Sequence, residues 1–185
     1  MIDNMKRLIV IAALLSMTVL SFAQKLDISM RPRMEIAEVE NEKTNEEFEV
    51  FYMNDENPRV YYLSVGHLGV GNDIVQLQFD PIYELFIPLG ENLSDAIAKM
   101  EEMKKWYKNM DMEPVEIQGC LSAAYPTDEM ITVTVRPRKF MLSNMLQFSI
   151  PTAGGDLIRA AYLTKGEFSG LLTGLKIHKK LHPKD

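Results

Sequence analysis

Short segments that alternate apolar and polar residues, interrupted twice by a helical stripe, limit what this chain can fold into. "EFEVFYM" sets Phe48, Val50 and Tyr52 on one face, and "VYYLSV" does the same for Tyr61, Leu63 and Val65. "IVQLQF" aligns Val75, Leu77 and Phe79, and "YELFIPL" aligns Tyr83, Leu85, Ile87 and Leu89. Period-two alternation rich in β-branched and aromatic residues predicts half-buried strands. The separators carry turn chemistry: "NDENP" at 54–58, "GHLGVGND" at 66–73 and Asp80-Pro81. The period then changes. Asn92 is a cap candidate, with Asp95 suited to the positive end of a helix dipole. Leu93, Ile97, Met100, Met103, Trp106 or Tyr107, and Met110 recur at helical spacing until Pro114.

The same order restarts. Val115, Ile117 and Leu121 align, then Ile131, Val133 and Val135, then Leu146, Phe148 and Ile150. After the turn "TAGGD", Ile158, Ala160 and Tyr162 share a face. Thr164 and Glu167 have the spacing of a capping box, with Leu163 and Phe168 placed as a hydrophobic staple. Phe168, Leu171, Leu172 and Leu175 continue the stripe, and Pro183 stops it. Gly170 and Gly174 each cost about 1 kcal/mol relative to Ala in a helix. They share a face, which suits close packing against another backbone; a marginal helix held by docking is the competing reading. The expected fold class is α+β, a mostly antiparallel sheet or sheets with two helices. Four strands and a helix occur twice, the caps lie 72 residues apart, and "LQF" recurs at 77–79 and 146–148. This reads as an internal duplication of a β4α unit. One four-stranded sheet with one helix leaves an apolar face uncovered, and two units can cover each other.

The first 23 residues read as a segment apart. Lys6 and Arg7 precede the apolar run Leu8–Leu20, and Ser21-Phe22-Ala23 puts small residues at −3 and −1 before Gln24. That is the layout of a secretory signal peptide cleaved after Ala23, and the run is short against the ~20 residues of a membrane span. The expected organisation is a leader at 1–23, an N-terminal segment at 24–46 with an edge strand near Pro32, a first unit at 47–111 and a second at 112–185, the two units forming one compact domain. No further apolar run of membrane length follows, so a secreted or periplasmic protein with no span after cleavage is expected. The remaining chain has 18 basic and 25 acidic residues, a net −7. Phosphate neutralisation needs clustered positive charge, so a nucleic-acid partner is not expected. Cys120 is the one cysteine and cannot make an internal disulfide; flanked by apolar residues, it reads as buried.

Chemistry-bearing motifs are sparse. His67 lies in a glycine-rich stretch with neither a P-loop lysine nor GxGxxG spacing. His178 and His182 share a helix face, but a closed zinc site needs two more ligands, so no metal and no cofactor are expected. No GxSxG elbow marks a nucleophile, and no catalytic residue is assigned. Charge is segregated: nine acids against Lys43 over 35–56, and nine bases against three acids over 130–185. "VRPRKF" is the one compact basic cluster. Arg136 and Arg138 share a strand face, and Pro137 points to an edge or strand end. A charged edge that blocks strand pairing explains these residues; an anionic partner or sugar acid is the functional reading. The candidate binding residues are Arg136, Arg138 and Lys139, with Tyr61 and Trp106 as aromatic anchors. The expected function is an exported, non-catalytic binding or assembly module of the cell envelope. Its partner would be an envelope protein, peptide or polymer, or a second copy. A small secreted hydrolase acting on envelope material is the alternative.

Overall fold

The computed structural model describes residues 33–41, 46–54, 56, 58–67, 69–70, 84–122, 125–140, 143–150 and 159–183. The leader, Pro32, the strand expected over 74–79 with its "LQF", most of the turn at 66–73, Asp80-Pro81, Tyr83, "TAGGD" and Ile158 lie outside these residues.

Among the described residues nine strands and two helices follow in the order β1 (Arg33–Asn41), β2 (Glu46–Met53), β3 (Tyr61–His67), β4 (Gly69–Val70), β5 (Glu84–Gly90), α1 (Leu93–Trp106), β6 (Val115–Ser122), β7 (Met130–Phe140), β8 (Ser143–Ile150), β9 (Arg159–Thr164) and α2 (Lys165–Leu181). All strand pairs are antiparallel, in the order β1-β2-β3-β5-β6-β7-β8-β9-β4, and β4 is only two residues long. The fold is α+β and mostly sheet. Each helix closes a four-stranded meander, and the meanders join where Leu85 of β5 pairs with Leu121 of β6. Among the described residues the first meander draws on β1, from the segment before residue 47. The strand order repeats, but the residue spacing does not: β3 and β8 start at residues 61 and 143, while the caps are at 92 and 164. No residue-by-residue equivalence follows from the repeated order.

The sheet bends back on itself. Only residue 68 separates β3 from β4, yet β4 pairs with β9 through Gly69↔Ala160 and Val70↔Arg159. β9 is therefore brought near β3, and α2 packs against β1 and β2 as well as β8 and β9. Burial follows the alternation. Phe48, Val50, Tyr61, Leu63, Leu85, Ile87, Val133, Val135, Leu146 and Phe148 line one face. They meet Leu93, Ala96, Met100 and Met103 of α1 and Phe168, Leu171, Leu172 and Leu175 of α2.

The helix ends are set as their sequences dictate. Asn92 Oδ1 accepts the Asp95 N–H at 3.0 Å. Thr164 Oγ1 accepts from Glu167 N–H at 3.3 Å while Glu167 Oε2 accepts from Thr164 N–H at 2.7 Å, completing the capping box. Tyr107, the C-cap of α1, is the fully buried aromatic at this end: it donates to the Leu163 carbonyl at 2.9 Å and packs on Phe168 at 5.4 Å. Glycines in α2 meet β1 directly. A Cβ on Gly174 would lie 2.5 Å from Ala37 Cβ, and one on Gly170 would lie 3.0 Å from Val39 Cγ2.

The structure corrects the expected face of β9. Ala161 and Leu163 point into the core, while Tyr162 is 46% exposed on the opposite face. A one-residue slip inverts every side chain of a strand, and Leu163 is fixed inward by the core it shares with Phe168. The reverse face of the first meander also carries apolar residues: Phe51, Met53, Tyr62 and Phe86, with Cys120 of β6, form a second buried cluster, and Val60 and Tyr125 pack against it. Among the described residues no helix is long and apolar enough to cross a membrane.

Candidate functional site

The face of β7, β8 and β9 turned away from the helices is polar, and a single glutamine organises it. Arg136 of β7 lies opposite Gln147 of β8, which lies opposite Tyr162 of β9, so the three form one cross-strand row. Arg138, two residues along β7, shares the face. Gln147 is 7% exposed. Its Oε1 accepts from the Nε–H of both Arg136 and Arg138, each at 3.0 Å. Its Nε2 donates to the Tyr162 hydroxyl at 3.1 Å. The amide orientation is forced by this arrangement, because a guanidinium only donates.

Chemically, the groups that this row leaves free are mainly donors. With both Nε–H groups held by Gln147, each arginine presents the paired Nη groups at its end. Tyr162 Oη accepts from Gln147, so its own proton points elsewhere. Among the described residues no carboxylate oxygen lies within ion-pair distance of either arginine. Two like charges held side by side without a counter-ion repel by an amount on the order of 1 kcal/mol at a watery surface. Continuous ladder pairing holds the row in place. The stretch of β7 from Arg136 onward extends past β6, whose last pair is Val115↔Val135, so this segment is paired with β8 alone. Pro137 sits where β7 has β8 but no longer β6 as a neighbour, an edge position of the kind that tolerates a missing N–H.

The other sequence candidates fall elsewhere. Lys139 follows Val135 and Pro137 in alternation, opposite Asn144, and so leaves the arginine face; it is exposed near the end of β7. Tyr61 is corrected from surface anchor to core residue: at 1% exposure its ring packs among the helix-side residues, because its strand parity is that of Leu63 and Val65. Trp106 is part-buried against the same core, on the helix side of the sheet, and does not join the arginines. Gln147 and Tyr162 were missed. Alternation with Leu146 and Phe148 signals that Gln147 faces outward, but the cross-strand register that brings it to Arg136 has no local sequence signature.

A second polar cluster lies on the same side of the sheet over the first meander. Arg33 of β1 pairs with Glu49 of β2 and, at 2.7 Å, with Glu84 of β5. Its guanidinium carbon lies 4.9 Å from the Phe51 ring centroid and 5.0 Å from that of Phe86. Ser64, fully buried, donates to Glu84 and accepts from Gly66 N–H. Burial, followed by the Glu84 charge, pushes the Glu49 carboxyl above its ordinary range against the pull of Arg33. Every side chain here is engaged by another, as structural ion-pair networks are. Cys120 is buried, accepts from Thr127 N–H at 3.4 Å and has its thiol pushed up by burial, the reverse of an activated nucleophile. His178 and His182 stack with centroids 4.4 Å apart. No group of three or more His, Cys, Asp or Glu side chains arranged for a metal occurs among the described residues.

No family model, curated protein or solved structure matches this chain.

Proposed function

We propose that the protein is an exported, non-catalytic binding module of the cell envelope that holds an anionic partner on the outer face of β7, β8 and β9. The observation that supports this reading is the pair Arg136 and Arg138, fixed by one buried glutamine and without a carboxylate partner among the described residues. Arginines that serve only to keep a strand edge soluble need no such fixing. Two guanidiniums aligned by a shared acceptor are pre-ordered, so less side-chain entropy is lost when a ligand arrives. The row lies on strands, with backbone register holding it, as binding constellations require. Export rests on the first 23 residues, whose charged start, apolar middle and small-residue end match a cleavable leader.

Two measurements test the reading. Fractionation of cells expressing the full chain, with N-terminal sequencing, should find the protein outside the cytoplasm beginning at Gln24. Retention on immobilised polygalacturonate and polyphosphate should fall sharply for Arg136→Gln/Arg138→Gln and weaken with salt. Equal retention of the double variant and the parent would remove the proposed site.

A further inference from the structure

Resting on that reading, we propose that the outer row of β7 to β9 is a receptor for a dianionic phosphomonoester. Arg136 and Arg138 carry two positive charges with no counter-ion among the described residues. A phosphomonoester carries between −1.5 and −2 at neutral pH and three strong acceptor oxygens. It neutralises both arginines with one group, whereas a carboxylate neutralises one.

The donors point to the same ligand. Each guanidinium has its Nε–H committed to Gln147 and keeps its end-on fork of two N–H groups. Tyr162 Oη, accepting from Gln147 Nε2, keeps an O–H to give. The two forks and the hydroxyl give the row five donor hydrogens to offer. A carboxylate offers about four lone-pair sites, one too few, and it cannot spread two forks and a hydroxyl over two oxygens in one plane. Three tetrahedral oxygens can take the two forks and the hydroxyl between them. Gln147 is a positioning residue: it orients the forks without touching the ligand. Tyr162, 46% exposed, adds an apolar ring beside the phosphate for whatever bears it.

The test uses the full chain lacking only its leader, titrated calorimetrically with glucose 6-phosphate, with glucuronate and with inorganic phosphate. Vesicles of phosphatidylcholine with and without phosphatidic acid are tested by flotation. The expected result is glucose 6-phosphate binding at least tenfold tighter than glucuronate, strengthening from pH 5 to pH 7 as the second phosphate proton leaves (pKa about 6). Arg136→Gln or Arg138→Gln should each weaken binding at least tenfold. Gln147→Glu, which supplies the missing counter-ion while leaving the arginines in place, should abolish it with the far-UV spectrum and unfolding midpoint retained. Arginine-dependent binding to phosphatidic acid vesicles but not to glucose 6-phosphate also supports the proposal and identifies the source as a lipid headgroup. Glucuronate binding as tightly as the sugar phosphate, through the same arginines, overturns the phosphate assignment and leaves the anion-binding function standing. Absence of arginine-dependent binding to all of these probes overturns both.

Discussion

Replacing Gly174 by Ala should destabilise the protein, although the same change in an isolated helix would stabilise it. The Cβ introduced would lie 2.5 Å from Ala37 Cβ and 3.5 Å from Ala37 Cα. Carbon atoms pack at about 3.5–4.0 Å, so α2 and β1 must separate by about 1 Å. Ala37 has no rotamer to yield, because its Cβ is fixed to the strand backbone. Overpacking of this kind costs about 1–3 kcal/mol, and the upper part of the range applies where backbone has to move. The helical gain from removing a glycine is about 1 kcal/mol. The net loss is about 1–2 kcal/mol, a fall in melting temperature of roughly 2–4 °C per kcal/mol for a domain of this size. Two neighbours in the same helix provide controls. At Gly170 the new methyl would meet Val39 Cγ2 at 3.0 Å, a side-chain atom that can give way, so Gly170→Ala should be near neutral. At Gly166 the nearest atom is Thr164 Oγ1 at 3.9 Å, so Gly166→Ala should be neutral or slightly stabilising.

The assay is urea unfolding followed by Trp106 fluorescence and far-UV circular dichroism at constant m-value. The expected order of midpoints is Gly166→Ala, then Gly170→Ala near the parent, then Gly174→Ala well below. Ala37→Gly removes the opposing methyl, so the double variant Ala37→Gly/Gly174→Ala should show a favourable coupling of about 1 kcal/mol or more in a double-mutant cycle. A Gly174→Ala protein as stable as Gly166→Ala, or a cycle with no coupling, would refute the close packing of α2 on β1.

Three further outcomes can be checked in the same way. Thr164→Ala removes the side-chain half of the capping box and should cost about 1 kcal/mol by urea unfolding. Tyr107→Phe leaves the Leu163 carbonyl without the phenol that donates to it at 2.9 Å and should cost about 1–3 kcal/mol. For Glu49, burial and the Glu84 charge hold the folded-state pKa above the unfolded value of about 4.5 despite Arg33. The folded protein therefore binds that proton more tightly, and the associated stability is present at low pH and lost as pH rises through the folded value. Glu49→Gln, which keeps Arg33 paired with Glu84, should thus gain stability relative to the parent as pH is raised from 4 to 7. A gain that shrinks over that interval would contradict the assignment.

Much of the fold was legible from local chemistry, and what was not legible shares one cause. Alternation placed Phe48, Val50, Leu63, Ile87, Val133, Leu146 and Phe148 on the core face, and the two caps fixed the helix starts, because each depends on neighbours in sequence. The second buried cluster was hidden. "VFYM" reads equally well as one apolar face or two, and only the structure gives Phe51 and Met53 partners in Phe86 and Cys120. Arg33, Glu49 and Glu84 were hidden for the same reason, since their pairing spans three strands whose register no local pattern states.

The position of Tyr162 shows where a sharper reading was available. Two inferences about the same six residues cannot both hold. If Leu163 staples to Phe168 at the start of α2, it faces the core. A strand running up to the cap at Thr164 then puts 161 and 163 inward and 162 outward. The expected core face of Ile158, Ala160 and Tyr162 contradicts the staple, and the staple has the stronger physical basis, because the capping box fixes Thr164 and leaves Leu163 no freedom of parity. With Tyr162 outward, Gln147 outward by its place between Leu146 and Phe148, Arg136 outward by its place between Val135 and Pro137, and Arg138 outward two residues further on, the polar face of the second meander follows from parity alone. Register, which needs the folded chain, adds only that the four side chains meet.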